Sequence, residues 1–158
     1  MEQFFILKSE PKSFSWDDLK KAPGKKTNWD GVRNYQARNY LRSMQKGDKC
    51  LFYHSSTKEP AIVGIVEVSR TAFPDPTAFD PESMYYDPQS ASGKVRWYAV
   101  EVRFYGEFEK PILRSELKQY AELSKTELLR RGSRLSVIPL RASEFQFICS
   151  LRKIIYEK

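Results

Sequence analysis

The sequence predicts an α+β fold, a small, mixed, partly closed barrel with helices inserted between its strands. Three observations predict it. Apolar runs short enough for strands recur at 4–8, 49–54, 61–69, 95–104 and 136–140. Helix-like segments separate some of these runs, but without the regular βαβ alternation of a doubly wound sheet. The 158 residues are 41% apolar, enough for one core, so a single domain spanning 1–158 is expected.

Taken in order, residues 4–8 read as a short central strand, apolar on both faces and ended by Pro11. Ser15 is placed to cap a short helix whose first turn carries Asp17 and Asp18, and Pro23-Gly24 closes it. Asn34 can cap a second helix with an inward stripe of Ala37, Tyr40, Leu41 and Met44. Gly47 suits the end of that helix. Strands at 49–54 and 61–69 form a hairpin across the loop 55–60. Residues 71–92 read as a long ordered loop, because Phe73, Phe79, Tyr85 and Tyr86 are anchors a linker would lack. A strand follows at 95–104, extending toward Phe108. Residues 113–120 and 125–131 read as helical, and 136–140 as a last short strand. Ser143 is expected to cap a terminal helix presenting Phe145, Phe147, Ile148 and Leu151.

Lys and Arg number 27 against 20 acids, a net charge of +7. The surplus is even along the chain, so a polyanion would meet folded surface rather than a charged tail. Cys50 and Cys149 lack motif spacing and read as buried thiols of a reducing compartment. No signal peptide and no membrane-length apolar run is visible, and a cytoplasmic protein is expected.

Several chemistries lack their residues. With one histidine and no paired cysteine spacing, a metal site is not expected, nor any cofactor. The glycines are scattered singly, against a phosphate-cradling loop. On a strand, His54 and Ser55 point to opposite faces and Cys50 lies two pleats away, so neither makes a nucleophilic dyad with the histidine. His54 is then either a strand-end histidine bonded to a loop or a polar group aimed into a pocket.

Three segments combine aromatics with groups able to bond a base edge or a phosphate. Lys8-Ser9-Glu10-Pro11 ends the first strand. In Trp29-Asp30-Gly31-Val32-Arg33-Asn34, the indole offers a stacking face, Gly31 allows close approach, and Arg33 suits a phosphate. Tyr53-His54-Ser55 ends a buried strand, and Trp97 is a candidate second stacking wall. Arg38 and Arg42 belong to a basic cluster around the second segment, and Arg134 to a patch at 130–134. Solvated helix faces would look the same.

These segments, with Tyr35-Gln36-Ala37-Arg38-Asn39, Phe73-Pro74-Asp75 and Arg134-Leu135-Ser136-Val137, stand in the order and spacing of the EVE domain family, which the chain resembles over nearly its whole length. The resemblance implies a PUA-like mixed β pseudobarrel of about five to six strands with peripheral helices, related to YTH and ASCH domains. It implies a cleft for a modified base of DNA or RNA lined by Ser9, Trp29, Gly31, Val32, Asn34, Tyr53, His54, Ser55 and Trp97. Lys8, Arg33 and Arg134 would be nearby cations.

The function expected is non-catalytic binding of nucleic acid, single-stranded or with one base flipped, by a monomer or weak dimer without membrane or metal. Two alternatives stand beside it. One is a small ASCH-like nuclease or base-modifying enzyme using Lys8, Glu10, Tyr53 and His54. The other is a pocket for a free nucleoside-like metabolite.

Overall fold

A strand that is apolar on both faces belongs in the interior of a sheet covered on both sides, and β1 (Phe4–Ser9) lies there, with a neighbour on each edge. β3 (Lys49–His54) runs parallel to it, pairing Phe4 with Lys49 and Ser9 with His54. β6 (Val137–Leu140) lies antiparallel on its other edge. The structure is a computed structural model that describes residues 2–90 and 93–156.

Among the described residues the sheet has seven strands in the order β2-β5-β4-β3-β1-β6, with β7 also on β5. β4 (Ala61–Pro74) and β5 (Tyr98–Leu113) are long antiparallel partners whose register shifts at four places. Each irregularity bends the ladder and adds twist. β2 (Lys26–Trp29) pairs with 100–103 of β5, and β7 (Ile154–Tyr156) with 106–108.

Side-chain alternation divides the core between the two faces of the sheet. Phe5, Leu7, Cys50 and Phe52 point to one face, beneath α1 (Trp16–Lys21) and α2 (Tyr35–Ser43). Ile6, Leu51 and Tyr53 point to the other, where Leu117, Leu123, Leu128 and Ile148 cover them. α1 carries the expected Ser15 cap, completed by Asp18 into a capping box. Its Trp16 indole lies so close to Gly64 that a Cβ there would come within 2.1 Å of the ring.

Several expected boundaries move. β2 and β7 raise the strand count above five or six; each is under five residues and too short for a periodicity to show. β4 continues through Pro74 into the expected loop, because 70–74 pair with 98–101 of β5, while β5 itself begins at Tyr98 rather than residue 95. The first expected helix of the 113–131 region shortens to α3 (Arg114–Leu117). Residues 125–131 form only a 3-10 turn at Glu127–Leu129, held by the Thr126 hydroxyl. α4 (Ala142–Ser150) starts at an Arg141 cap whose backbone N–H donates to Glu144, so Ser143 lies inside the helix and does not cap it.

Candidate functional site

Parallel pairing puts the C-terminal ends of β1 and β3 side by side, and the candidate segments meet there. Lys8 lies opposite Tyr53 and Ser9 opposite His54. The Ser55 N–H donates to the Ser9 carbonyl at 2.9 Å, and the Lys8 N–H donates to the Ser136 carbonyl at 3.0 Å. The second contact brings the 133–136 loop to the same edge.

Above this edge opens a cleft of about 970 Å³, at the upper end of ligand-site volumes. One wall is Thr27 to Arg33, from β2 and the turn after it. A second is Lys8, Ser9 and Glu10 with Ser13 and Phe14. Ser55 and Ser56 close one end, Ser133, Arg134 and Ser136 another, and Met84 and Tyr85 reach over from the long loop. Five of the nine expected base-site residues line it: Ser9, Trp29, Gly31, Val32 and Ser55.

Trp29 belongs to both core and cleft. It is 8% exposed and packs edge-on against Phe52, with ring centroids 5.4 Å apart. The Ser9 hydroxyl donates to the Phe14 carbonyl at 2.5 Å, which leaves its oxygen as an acceptor. Asp30, also on the cleft wall, has its carboxyl pushed above the usual range by desolvation and then by the nearby Asp75. Lys8 is lowered from the ordinary lysine value by burial and by Arg114, with Glu127 opposing.

The other four expected base-site residues lie elsewhere. Asn34 is turned into α2, its side-chain oxygen accepting the Ala37 N–H at 2.9 Å. The Trp16 N–H donates to His54 Nε2 at 3.0 Å, so the histidine is the bonded strand-end residue rather than a group aimed into the cleft. Burial lowers its pKa, keeping it a neutral acceptor. Tyr53 points to the opposite face of the sheet, into the second core. Trp97 is no second wall of the cleft: it stacks on Tyr35 with centroids 4.8 Å apart and donates its indole N–H to Asp87.

Arg33 also differs from expectation. It was expected to hold phosphate, yet all five of its N–H donors are engaged. Nε and one terminal nitrogen donate to the Tyr85 carbonyl, that same nitrogen to Thr77, and the other to Val32 and Asp75. Its guanidinium also lies over the rings of Tyr85 and Trp97, 5.5 and 5.3 Å from their centroids. It ties the cleft wall to the long loop. Arg38 stacks on Tyr35 and bonds the Arg96 carbonyl and Asn39, and Arg42 stacks on Tyr98; neither lines the cleft. Lys8 and Arg134 do line it.

The sequence marks Asp75 only as part of a motif and Tyr85 only as a loop anchor. Asp75 is fully buried and accepts from the Gly31 and Thr77 N–H groups, the Thr77 hydroxyl and Arg33. Burial would raise its pKa, but these donors outweigh burial and lower it. The Tyr85 ring covers Gly31, whose φ is +76°. The signal for both was the aromatic and acidic character of a loop otherwise rich in proline.

Among the described residues, no group of three or more His, Cys, Asp or Glu is placed to hold a metal ion. Among the same residues, no helix is long and apolar enough to cross a membrane.

Comparison with known proteins gives a consistent picture. The family model described as EVE domain matches residues 3–151. Human thymocyte nuclear protein 1 is 39% identical over 169 residues, covering 97% of this chain and 75% of the relative. A solved structure from Pseudomonas syringae superposes with a TM-score of 0.90 at 46% identity, covering 95% of this chain and 99% of that one. Human THYN1 in complex with 5-methylcytosine-containing DNA superposes at 0.89 with 40% identity, covering 95% and 97%. The PUA-like fold is thus shared with this group.

Proposed function

The chain belongs to the EVE domain family, and from that premise we propose that it is a non-catalytic reader of modified DNA. It takes one base, of the 5-methylcytosine kind carried by the DNA in complex with the human relative, into the cleft above β1 and β3. The observation that carries the proposal is the convergence of an indole, hydrogen-bonding groups and two cations on one opening. Trp29 supplies an apolar wall. Ser9, Asp30 and Ser55 are acceptors and donors for a base edge, and a carboxylate suits the exocyclic amine of a cytosine. Tyr85 supplies the second aromatic surface expected of Trp97. Lys8 and Arg134 face the phosphates, which position the strand without reading it.

Acid–base chemistry has little support. The lone pair of the chain's one histidine is occupied by the Trp16 N–H, and Tyr53 is turned to the other face of the sheet.

The test is fluorescence anisotropy with a short single-stranded oligonucleotide carrying one central 5-methylcytosine, against the same strand with cytosine and with an abasic position. Tightest binding to the methylated strand is expected, with Trp29→Phe weakening all base-containing strands toward the abasic one. Equal affinity for all three would show that no base enters, and the proposal fails.

A further inference from the structure

Met84 is 87% exposed, an unusual situation for a long apolar side chain, and it stands at the mouth of the cleft. It forms a ridge. On one side lies the cleft, and on the other a smaller hollow of about 230 Å³ floored by Arg33 and Trp97. Its backbone is firmly held. The Ser83 and Tyr86 N–H groups donate to the carbonyls of Asp80 and Ser83, the Asp80 and Ser83 side chains accept from Glu82 and Tyr85, and Arg33 grips the Tyr85 carbonyl. The fold thus presents an unbranched apolar side chain on a rigid turn, beside the opening into which a base would pass.

We propose that Met84 is a wedge that fills the space a base leaves in a duplex when it turns into the cleft. This rests on the reading of the cleft given above and adds the form of DNA it takes. A base drawn out of a duplex leaves a gap whose walls are the flat faces of two neighbouring pairs, and losing their stacking costs a few kcal/mol. An apolar side chain inserted between base steps restores part of that contact. Methionine suits the role because its flexible, polarisable thioether conforms to irregular aromatic surfaces. The acids of the turn, Asp80 and Glu82, oppose phosphate, so Met84 contributes by packing rather than by charge. Its effect is therefore insensitive to salt.

The experiment compares wild type, Met84→Ala and Met84→Leu on a duplex with one central 5-methylcytosine flanked by 2-aminopurine, and on the methylated strand alone. For the duplex, Met84→Ala is expected to bind roughly tenfold more weakly and to lose the rise in 2-aminopurine fluorescence that reports unstacking. Met84→Leu should restore both, any loss of single-strand affinity in Met84→Ala should be well below the duplex loss, and the duplex deficit should be the same at low and high salt. Unchanged duplex binding by Met84→Ala overturns the wedge, and so does an equal loss on duplex and single strand, which would make Met84 an ordinary wall. Wild type that binds the single strand but not the duplex overturns the wedge and leaves the cleft standing. Wild type that binds neither overturns both.

Discussion

The Arg33 guanidinium donates to the buried Asp75 carboxylate at 2.9 Å, and the same carboxylate oxygen accepts the Gly31 N–H at 2.8 Å. One acid therefore fixes both the backbone of the cleft wall and the cation that ties that wall to the long loop. Asp75→Asn removes the charge and leaves Arg33 without its counter-ion. Breaking a buried pair from one side costs on the order of 3 kcal/mol. Chemical denaturation should show a loss of that size, with base binding lost along with it. A change under about 0.5 kcal/mol, the scale of an ordinary surface substitution, would show that the pair does not hold the wall.

Gly31 and Tyr85 make a second, separable contact. An added Cβ at Gly31 would lie 2.7 Å from the Tyr85 ring, and the backbone there has φ +76°. Gly31→Ala thus carries two penalties, backbone strain of about 1–2 kcal/mol and a steric clash. Tyr85→Ala should relieve the clash and leave the strain. A double-mutant cycle should return a favourable coupling in the Gly31→Ala, Tyr85→Ala protein, and additive effects would mean that the ring moves aside freely.

His54 makes stability depend on pH. Its folded pKa lies below the ordinary 6.5 because burial disfavours the imidazolium. The unfolded chain therefore binds its proton first, so stability falls as pH drops from 6.5 through the lower folded value and then levels off. Protonation also removes the acceptor of the Trp16 N–H. Thermal melts between pH 7 and 5 should show this slope, and His54→Gln should flatten it. A slope unchanged in that variant would assign it to the carboxylates.

Salt dependence should separate the cations. Lys8→Ala and Arg134→Ala each remove a charge that lines the cleft, and each should lower the slope of log affinity against log salt by about one. Arg38→Ala and Arg42→Ala remove charges that lie stacked on Tyr35 and Tyr98 outside it. The slope should be unchanged in both. Four equal slopes would mean that the phosphates run over the whole basic face.

Trp29 shows how far one residue could be read in advance. Its place in the 29–34 segment marked it as an indole with a stacking face, and its edge-on packing on Phe52 makes it part of the core as well. Asn34 likewise carried two readings, and the hydrogen bond to Ala37 decides for the cap. Trp97 had no local signal to tell a cleft wall from a stack on Tyr35, since both need only a flat apolar ring. β2 was invisible because it spans four residues, Lys26–Trp29, and its pairing with β5 lies far along the chain.

The sequence by itself determined the class of fold, the central both-faces-apolar strand, the caps at Ser15 and Asn34, and the segments that gather at the cleft. The fold class, the strand and the caps depend on periodicity and on bonds between residues three or four apart, which a linear reading can see. The segments were marked by their mix of aromatic and hydrogen-bonding residues and by the family resemblance. Only the tertiary structure decided which cations stay open to a ligand and which indole faces the cleft. A guanidinium's role is set by whatever acceptors surround it. For Arg33 those include Asp75, Thr77 and Tyr85, more than forty residues away.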